Sequence, residues 1–156
     1  FIDIYSRKIT GRNFSDTHDT ELILAALKKA IEAEGRAPCI SHSDQGSEYR
    51  SQLFQEILES YGIRPSLSPK ASPWRNDFQE SFYAGFKKDL GNITRFKCLG
   101  ELIEAIAHTL NYYNTERIHT ALKTNPVDFI NSYTNKNKGA KKGALAGVID
   151  FQKVVP

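Results

Sequence analysis

The sequence predicts an α/β domain in which helices pack on a small sheet, and three observations predict this class. Short runs of β-forming residues alternate with stretches of helical periodicity up to about residue 68, and the later part of the chain holds helices. Of the 156 residues, 40% are hydrophobic and 25% are charged, which is typical of a globular domain that buries a core without disulfides. No apolar run is long enough for a membrane span, which excludes an integral membrane protein.

The elements of the first half follow from local patterns. Apolar residues recur at helical spacing over 22–31, and Gly35 is the residue type that commonly follows the end of a helix. Ser51 is suited to begin a second helix, which Gly62 ends. The predicted order is a hairpin of strands 1–5 and 9–14, a helix ending at Gly35, a strand over 38–43, a helix over 51–61 and a strand over 63–68.

The second half predicts a loop over 69–77 and then three helices. A helix over 78–90 has its apolar residues at i, i+4 spacing, which places that face in the core. A longer helix is predicted over 100–113, and a short one begins at Asn125 and Pro126. The residues expected to be buried are Phe78, Phe82, Phe86 and Leu90 in the first helix and Leu102, Ile103, Ile106 and Leu110 in the second.

The domain organisation is predicted from composition. Residues 1–133 read as one domain, whereas residues 134–156 begin with an Asn, Lys and Gly-rich basic stretch that predicts a flexible tail. The chain begins with Phe1 inside a predicted strand and contains no Met, so we expect it to be the later part of a longer protein.

The net charge and the cysteine spacing limit the kinds of function that the chain can have. Lys and Arg number 21 against 18 Asp and Glu, a net charge of +3 that is compatible with a polyanionic partner without identifying one. Cys39 and Cys98 are far apart in the sequence and have no second Cys or His at ligand spacing. Neither a disulfide framework nor a zinc site is therefore expected, and a reducing cytosol is the expected environment.

Asp44 and Glu80 are the acidic residues that best suit chemistry. Asp44 follows a predicted strand and enters a turn with Gly46, whereas Glu80 lies near the start of the helix over 78–90, away from its apolar face. The carboxyl ends of strands are where α/β sheets bind ligands, and Mg²⁺ in phosphoryl-transfer sites takes one or two carboxylates. The alternative is that both acids are solvated surface residues.

Four phrases surround these two acids: HSDQGSEY at 42–49, SQLF at 51–54, GIRPSLS at 62–68 and NDFQESFY at 76–83. Together they closely resemble the catalytic core of DDE transposases related to retroviral integrases, with the insertion-sequence transposases as the nearest group. That family has its second Asp in an H-S-D-x-G-S-x-Y-x-S phrase and its Glu in an N-x-x-x-E-S-F phrase. Residues 45–79 stand between the two acids here, which is the family's spacing.

Two further phrases extend the resemblance over residues 1 to about 131. YNTERIHTAL at 113–122, followed by Asn125 and Pro126, looks like the family's Y-N-x-x-R-x-H-x-x-L signature, and DIYSRKITG at 3–11 resembles the opening hairpin of its fold. The resemblance implies a ribonuclease-H-like mixed sheet with flanking helices and a function in DNA transposition. It also implies Asp44 and Glu80 as catalytic ligands of Mg²⁺ or Mn²⁺, transposon ends and target DNA as partners, a homo-oligomer when intact, and a bacterial cytosolic location.

The family's first catalytic Asp has no counterpart in this sequence. In the family it lies in a T-D-x-T-Y phrase on a central strand before the hairpin, between that hairpin and the strand that carries the second Asp. Asp3 matches a different residue of the family, and we expect it to stabilise a turn. We do not expect the apolar segment 148–155 to fill the central position. The alternative function is therefore an inactive transposase fragment that binds DNA or a full-length partner.

Three basic residues are candidates for DNA contacts. Lys87 lies two helical turns after Glu80 and so on nearly the same face, where its ammonium group suits a phosphate near the metal. Its alternative is a solvated Lys near a helix C-terminus. Lys70 and Arg75 lie in the predicted loop beside Trp74, where they either grip a DNA strand or are merely solvated.

Three other residues near these phrases have open roles. His42 shares a strand face with Asp44 and is interpreted as a hydrogen-bonding partner of the site or as a packed core imidazole. Arg117 and His119, in the 113–122 phrase, are either part of the scaffold behind the site or contacts to nucleic acid.

Overall fold

The computed structural model of the chain describes residues 1–68, 77–136 and 145–147. These residues divide into two compact units, of which the first holds residues 1–68, 77 and 145–147 and the second holds residues 78–136. Within the described part no helix combines the length and the apolar character that crossing a membrane requires.

The described helices agree closely with those that the sequence predicts. Each lies within a few residues of its expected bounds, and a short 3₁₀ turn at Ile93–Arg95 precedes the fourth. The helices are α1 (Thr20–Glu34), α2 (Gln52–Ser60), α3 (Asp77–Leu90), α4 (Leu99–Thr115) and α5 (Pro126–Lys136).

The strands of the first unit form one mixed sheet. They are β1 (Ile2–Asp3), β2 (Ile40–Ser43), β3 (Arg64–Leu67) and β4 (Leu145–Gly147), in the spatial order β1-β4-β2-β3. β2 runs parallel to both β3 and β4, whereas β4 runs antiparallel to β1. The position between the hairpin and the strand before Asp44, which the resemblance assigns to a missing strand, is therefore occupied by β4.

The expected second strand of the hairpin, over 9–14, is wrong in its extent, because pairing with the first segment ends at Gly11. Ile9 makes an isolated antiparallel bridge to Ile2, and Phe1 exchanges backbone hydrogen bonds with Thr10, whose N–H donates to Phe1 O at 2.9 Å, and with Gly11, whose O accepts from the Phe1 amino group at 2.6 Å. At Gly11, the last paired residue, the chain packs against α1 so closely that a Cβ would lie 2.2 Å from the carbonyl oxygen of Ala26. This close approach to a helix takes the place of further strand pairing.

Asp3 has the turn role that the sequence predicts. Its carboxylate accepts hydrogen bonds from the backbone N–H of Tyr5 at 3.2 Å and from the hydroxyl of Ser6 at 2.6 Å. Both donors lie in the turn that follows β1, so the side chain closes that turn locally.

The ends of α1 and α2 are set by the residues that the sequence indicates. Asp19 accepts from the backbone N–H of Leu22 at 2.9 Å at the start of α1, and Ser51 accepts from Phe54 N–H at 3.2 Å at the start of α2. Gly35 follows α1 with φ +65°, a left-handed conformation in which glycine carries no Cβ penalty.

The core of the first unit lies where α1 and α2 bury their apolar faces. Tyr49 and Phe54 meet edge to face with ring centroids 5.8 Å apart. The buried residues of this core are Phe1, Ile23, Leu27, Ala30, Tyr49, Phe54, Leu58 and Ile63.

The second unit has an aromatic core that α3 and α4 share. Phe82 stacks on Phe86 at 5.5 Å and meets Tyr113 of α4 edge to face at 5.1 Å. Phe86, Leu90, Ile106 and Leu110 are also buried, as predicted. The other expectations were wrong or only partly met, since Phe78 is 45% and Ile103 37% exposed and Leu102 is half-buried. Phe78 lies in the first turn of α3, one turn before the aromatic cluster.

The predicted tail includes residues that the structure places in elements. Residues 134–136 continue α5, and residues 145–147 form β4. The other residues of 134–156, including the segment 148–155, lie outside the described residues. The boundary at residue 133 and the flexible character of the tail stay predictions.

Candidate functional site

Asp44 directly follows β2 and is held by its own turn. Its Oδ1 accepts the backbone N–H of Gly46 at 3.0 Å, the pattern of an Asx turn. The side chain is half-buried, and no described residue donates a hydrogen bond to Oδ2. One carboxylate oxygen is thus fixed by the backbone while the second remains available to a ligand.

His42 is bound between two hydroxyl groups. Its Nδ1 lies 3.0 Å from Ser66 Oγ and its Nε2 lies 2.9 Å from Ser68 Oγ. Ser66 is the residue of β3 that pairs with His42 in the parallel register. Because both ring nitrogens are engaged by hydroxyls, the imidazole acts here as a bridge between β2 and β3 rather than as a metal ligand.

A second set of contacts ties the turn after β2 to the end of β3. Gln45 Nε2 donates to the carbonyl oxygen of Ser68 at 3.0 Å, and Ser68 N–H donates to the carbonyl oxygen of Ser43 at 2.9 Å. Asp44 lies between Ser43 and Gln45, so its backbone is held on both sides. Ser66 and Ser68 were missed as site residues, although their alternation along β3 is the signal that places them on one sheet face.

Glu80 and Lys87 lie on α3 with exposed side chains. Among the described residues neither makes a hydrogen bond or an ion pair. Lys87 follows Glu80 by seven residues, which is about 10 Å along the helix axis. Two turns of helix bring both residues to nearly the same face. The carboxylate of Glu80 is therefore open to a cation and the ammonium of Lys87 to an anion.

Arg117 and Asp89 form an ion pair inside the second unit. The guanidinium approaches α3 at Gly85, where an added Cβ would lie 2.8 Å from Nη2. Gly85 was missed by the sequence analysis, although a glycine within a helix costs about 1 kcal/mol against alanine and so points to a close approach. These contacts hold Arg117 against α3, and its role as scaffold or as a contact to nucleic acid stays a prediction.

His119 also lies within the scaffold of the second unit. Its ring meets Tyr113 edge to face, with centroids 4.7 Å apart. Its backbone N–H donates to the carbonyl oxygen of Thr124 at 3.0 Å and closes the turn before α5. Packing and backbone pairing thus account for this histidine within the unit.

The predicted site residues fall into three groups. His42 and Asp44 come together at the carboxyl end of β2 in the first unit. Glu80 and Lys87, both on α3, lie in the second unit, as do Arg117 and His119. Lys70 and Arg75 lie outside the described residues. Across 1–68, 77–136 and 145–147, no three His, Cys, Asp or Glu side chains form a metal-binding cluster. A metal ion shared by Asp44 and Glu80 stays a prediction.

Two family models of the integrase core domain match this chain, one over residues 1–73 and the other over residues 61–126. The chain belongs to the integrase core domain family. Their matches include Asp44, Glu80 and the 113–122 phrase. The prediction of an integrase-type core, made from the phrases around the two acids, is therefore confirmed.

Curated relatives of this integrase core include bacterial transposases. The chain is 37% identical over 131 residues to the transposase for insertion sequence element IS904 of Lactococcus lactis, covering 82% of this chain and 52% of the relative. It is 33% identical over 129 residues to a transposase-like protein of Haemophilus influenzae, covering 81% and 59%. The chain thus spans about half the length of the curated relatives it matches.

A solved structure supports the fold of the integrase core. The catalytic core domain of the HTLV-2 integrase, determined in complex with magnesium in a trimeric form, matches with a TM-score of 0.58 at 20% identity. The match covers 82% of this chain and 80% of that domain. The predicted ribonuclease-H-like fold is confirmed by this likeness together with the mixed sheet.

Proposed function

We propose that this chain is the catalytic core of a DNA transposase that cleaves a DNA strand and joins the freed 3′ end to a target. The observation that carries the proposal is the position of Asp44 in this integrase core. The residue lies at the carboxyl end of β2, and one of its carboxylate oxygens accepts a hydrogen bond from Gly46 N–H. Its family membership and its transposase relatives support the same function.

The donors present suit a divalent cation. Asp44 Oδ2 and the carboxylate of Glu80 are hard oxygen ligands, and Mg²⁺ or Mn²⁺ in phosphoryl-transfer sites binds one or two such groups and fills its other positions with water and phosphate. We propose that Asp44 and Glu80 hold this ion. When bound, it supplies charge neutralisation at the phosphate and lowers the pKa of the attacking water or hydroxyl.

The residues around Asp44 are proposed to position the carboxylate. Gly46 N–H already holds Oδ1 of Asp44, so the Asp44 side chain does not have to be ordered when a metal ion binds. The bridge from His42 to Ser66 and Ser68 holds the ends of β2 and β3 together behind it. Positioning of this kind is the main contribution of a protein to phosphoryl transfer, because no protein nucleophile is required.

DNA is the proposed partner, as transposon ends and target, and a homo-oligomer is the proposed active form. Lys87 is the described residue best placed to contact a phosphate, because it is exposed and shares a helix face with Glu80. Lys70 and Arg75 are proposed as further contacts on sequence grounds. The trimeric form of the HTLV-2 core domain supports the proposal of assembly.

The test is divalent-ion-dependent nicking of an end-labelled duplex by the purified chain. We expect DNA to be nicked with Mg²⁺ or Mn²⁺ and to stay intact with EDTA, and a Ca²⁺ reaction reports binding separately. DNA binding without nicking would favour the alternative, an inactive DNA-binding fragment, because only two of the family's three acids are present. A chain that neither binds nor nicks DNA would contradict the proposed function and would leave, of the alternative, only binding to a full-length partner.

Lys87→Ala is expected to weaken DNA binding without changing its dependence on sequence. The loss of one phosphate contact lowers the slope of log K against log salt concentration by about 0.9. Fluorescence anisotropy with a labelled duplex over a salt series measures both the affinity and this slope.

Lys88→Ala is the matched control. Lys88 is also exposed on α3, and its substitution removes the same charge from a neighbouring position that faces another side of the helix. It should change the slope less than Lys87→Ala. Equal effects of the two variants would show that Lys87 contributes general charge only and makes no specific contact.

A further inference from the structure

The carboxylate of Glu48 is nearly buried beside the turn that holds Asp44. Its side chain is only 10% exposed, and a glutamate is rarely buried this far without polar partners. His18 Nε2 lies 3.5 Å from Oε1, and Ser47 Oγ donates to Oε2 at 3.2 Å. His18 lies two residues before α1, so its contact joins the segment before α1 to the turn after β2. Both oxygens of Glu48 are thus engaged, which fixes the carboxylate in one place.

That place is the face of Gly46 where a side chain would otherwise stand. A Cβ on Gly46 would lie 2.5 Å from Glu48 Oε1 and 2.8 Å from its carboxyl carbon. The φ angle of Gly46 is not positive, unlike those of Gly35, Gly62 and Gly91. The glycine is therefore required here for the close approach of the carboxylate and not for a left-handed backbone.

Gly46 connects Glu48 to Asp44. Gly46 N–H donates to Asp44 Oδ1 at 3.0 Å, and Gly46 O accepts from the backbone N–H of Arg50 at 3.2 Å. The backbone of Glu48 is also held, since its carbonyl oxygen accepts from Ser51 Oγ at 2.8 Å. A carboxylate packed on the Cα of Gly46 limits the movement of the peptide group that holds Asp44.

We propose that Glu48 is a positioning residue for Asp44. Its carboxylate, held by His18, packs on Gly46 and keeps the Gly46 N–H directed at Asp44 Oδ1. Glu48 acts through Gly46 and is not itself a metal ligand in this role. Its effect on metal binding rests on the proposed function, in which Asp44 is a ligand, whereas its effect on Gly46 needs neither DNA nor a metal ion.

The first test measures hydrogen exchange of the Gly46 amide by NMR in the full chain, without DNA or metal. We expect Glu48→Ala to speed this exchange about three- to tenfold, the range for loss of one hydrogen bond. The Gly62 amide, which donates to Glu59 O at 2.8 Å in the same unit, is the internal reference and should keep its parental rate. Unchanged exchange at Gly46 would overturn the proposal. Equal acceleration at Gly46 and Gly62 would also overturn it, because it reports general destabilisation.

Two further variants separate the contact from the charge. Glu59→Ala removes a carboxylate that is exposed on α2 and should leave exchange at Gly46 unchanged. Glu48→Gln keeps the length and the planar end of the side chain, so it should retain most of the parental protection at Gly46. Exchange as fast in Glu48→Gln as in Glu48→Ala would overturn the packing contact, because the two variants share only the loss of charge.

The second test connects the contact to the metal site through the broadening of amide signals beside Asp44 by Mn²⁺. Glu48→Ala should raise the Mn²⁺ concentration for half-maximal broadening roughly tenfold, the lower end of the effect of residues that orient a metal ligand. Glu48→Gln should stay close to the parent. An unshifted midpoint in Glu48→Ala would overturn the positioning role. If the parent chain shows no broadening beside Asp44, the proposed metal site fails instead, and exchange at Gly46 still decides the role of Glu48.

Gly46→Ala gives a third, independent measurement. Because its new Cβ displaces the Glu48 carboxylate, this variant should speed exchange of the residue 46 amide as much as Glu48→Ala does, after correction for intrinsic rates. The double variant should exchange no faster than either single variant, since both remove one contact. Effects that multiply in the double variant would show that the two residues act separately, and would overturn the proposal.

Discussion

Asp44→Asn is expected to reduce strand transfer by at least about 100-fold. The substitution keeps the shape of the side chain and an acceptor for Gly46 N–H, but it removes the negative charge that the proposed Mg²⁺ site requires. Substitution of a residue that only hydrogen-bonds to a metal ligand typically lowers metal affinity or activity about 10–100-fold. Loss of the ligand itself is therefore expected to lower activity further. The measurement is strand transfer by a chimera in which the matched residues of this chain replace those of the IS904 transposase.

The controls separate loss of chemistry from loss of folding or binding. Asp16→Asn makes the same chemical change at an exposed residue before α1 and should leave strand transfer unchanged. DNA affinity in Ca²⁺ and the thermal unfolding temperature should stay close to parental values in both variants. Strand transfer by Asp44→Asn at the parental rate would contradict the assignment of Asp44 as a catalytic carboxylate.

Phe86→Ala is expected to destabilise the second unit by about 3–5 kcal/mol. Phe86 is fully buried at 0% exposure and stacks on Phe82, so truncation removes apolar contacts and leaves a cavity in the aromatic core. Urea unfolding followed by far-ultraviolet circular dichroism gives the change in free energy of unfolding.

Phe78→Ala is the matched control on the same helix. Phe78 is 45% exposed, so its truncation should cost less than about 1 kcal/mol. Similar losses for Phe78→Ala and Phe86→Ala would contradict the assignment of the core face of α3.

The helices were predictable because their signals are local. The start of α1 depends on a side-chain hydrogen bond of Asp19, and its end depends on the left-handed backbone of Gly35; both residues lie next to the helix in sequence. The error at Phe78 came from extending the four-residue periodicity to a turn that the buried cluster does not reach. The error over 9–14 arose because Gly11 contacts a helix that follows it in the chain, and strand propensity carries no information about such contacts.

The candidate site was predictable in part for the same reason. A strand followed by a Gly-containing turn locates Asp44 at the end of β2, and that pattern is contained within a few residues. The partners of His42 come from β3, and the partner of Arg117 comes from α3. These pairings join distant parts of the chain, and a single sequence has no periodic signal for them.

The sequence by itself determined the helices, the integrase-core family and the two acids proposed for chemistry, because short phrases and residue spacing encode them. Only the tertiary structure decided that β4 completes the sheet, that Ser66 and Ser68 bind His42, and that Arg117 pairs with Asp89. The physical reason is that strand pairing uses backbone groups that nearly every residue carries. Which segment fills a place in a sheet is therefore decided by the folded chain as a whole.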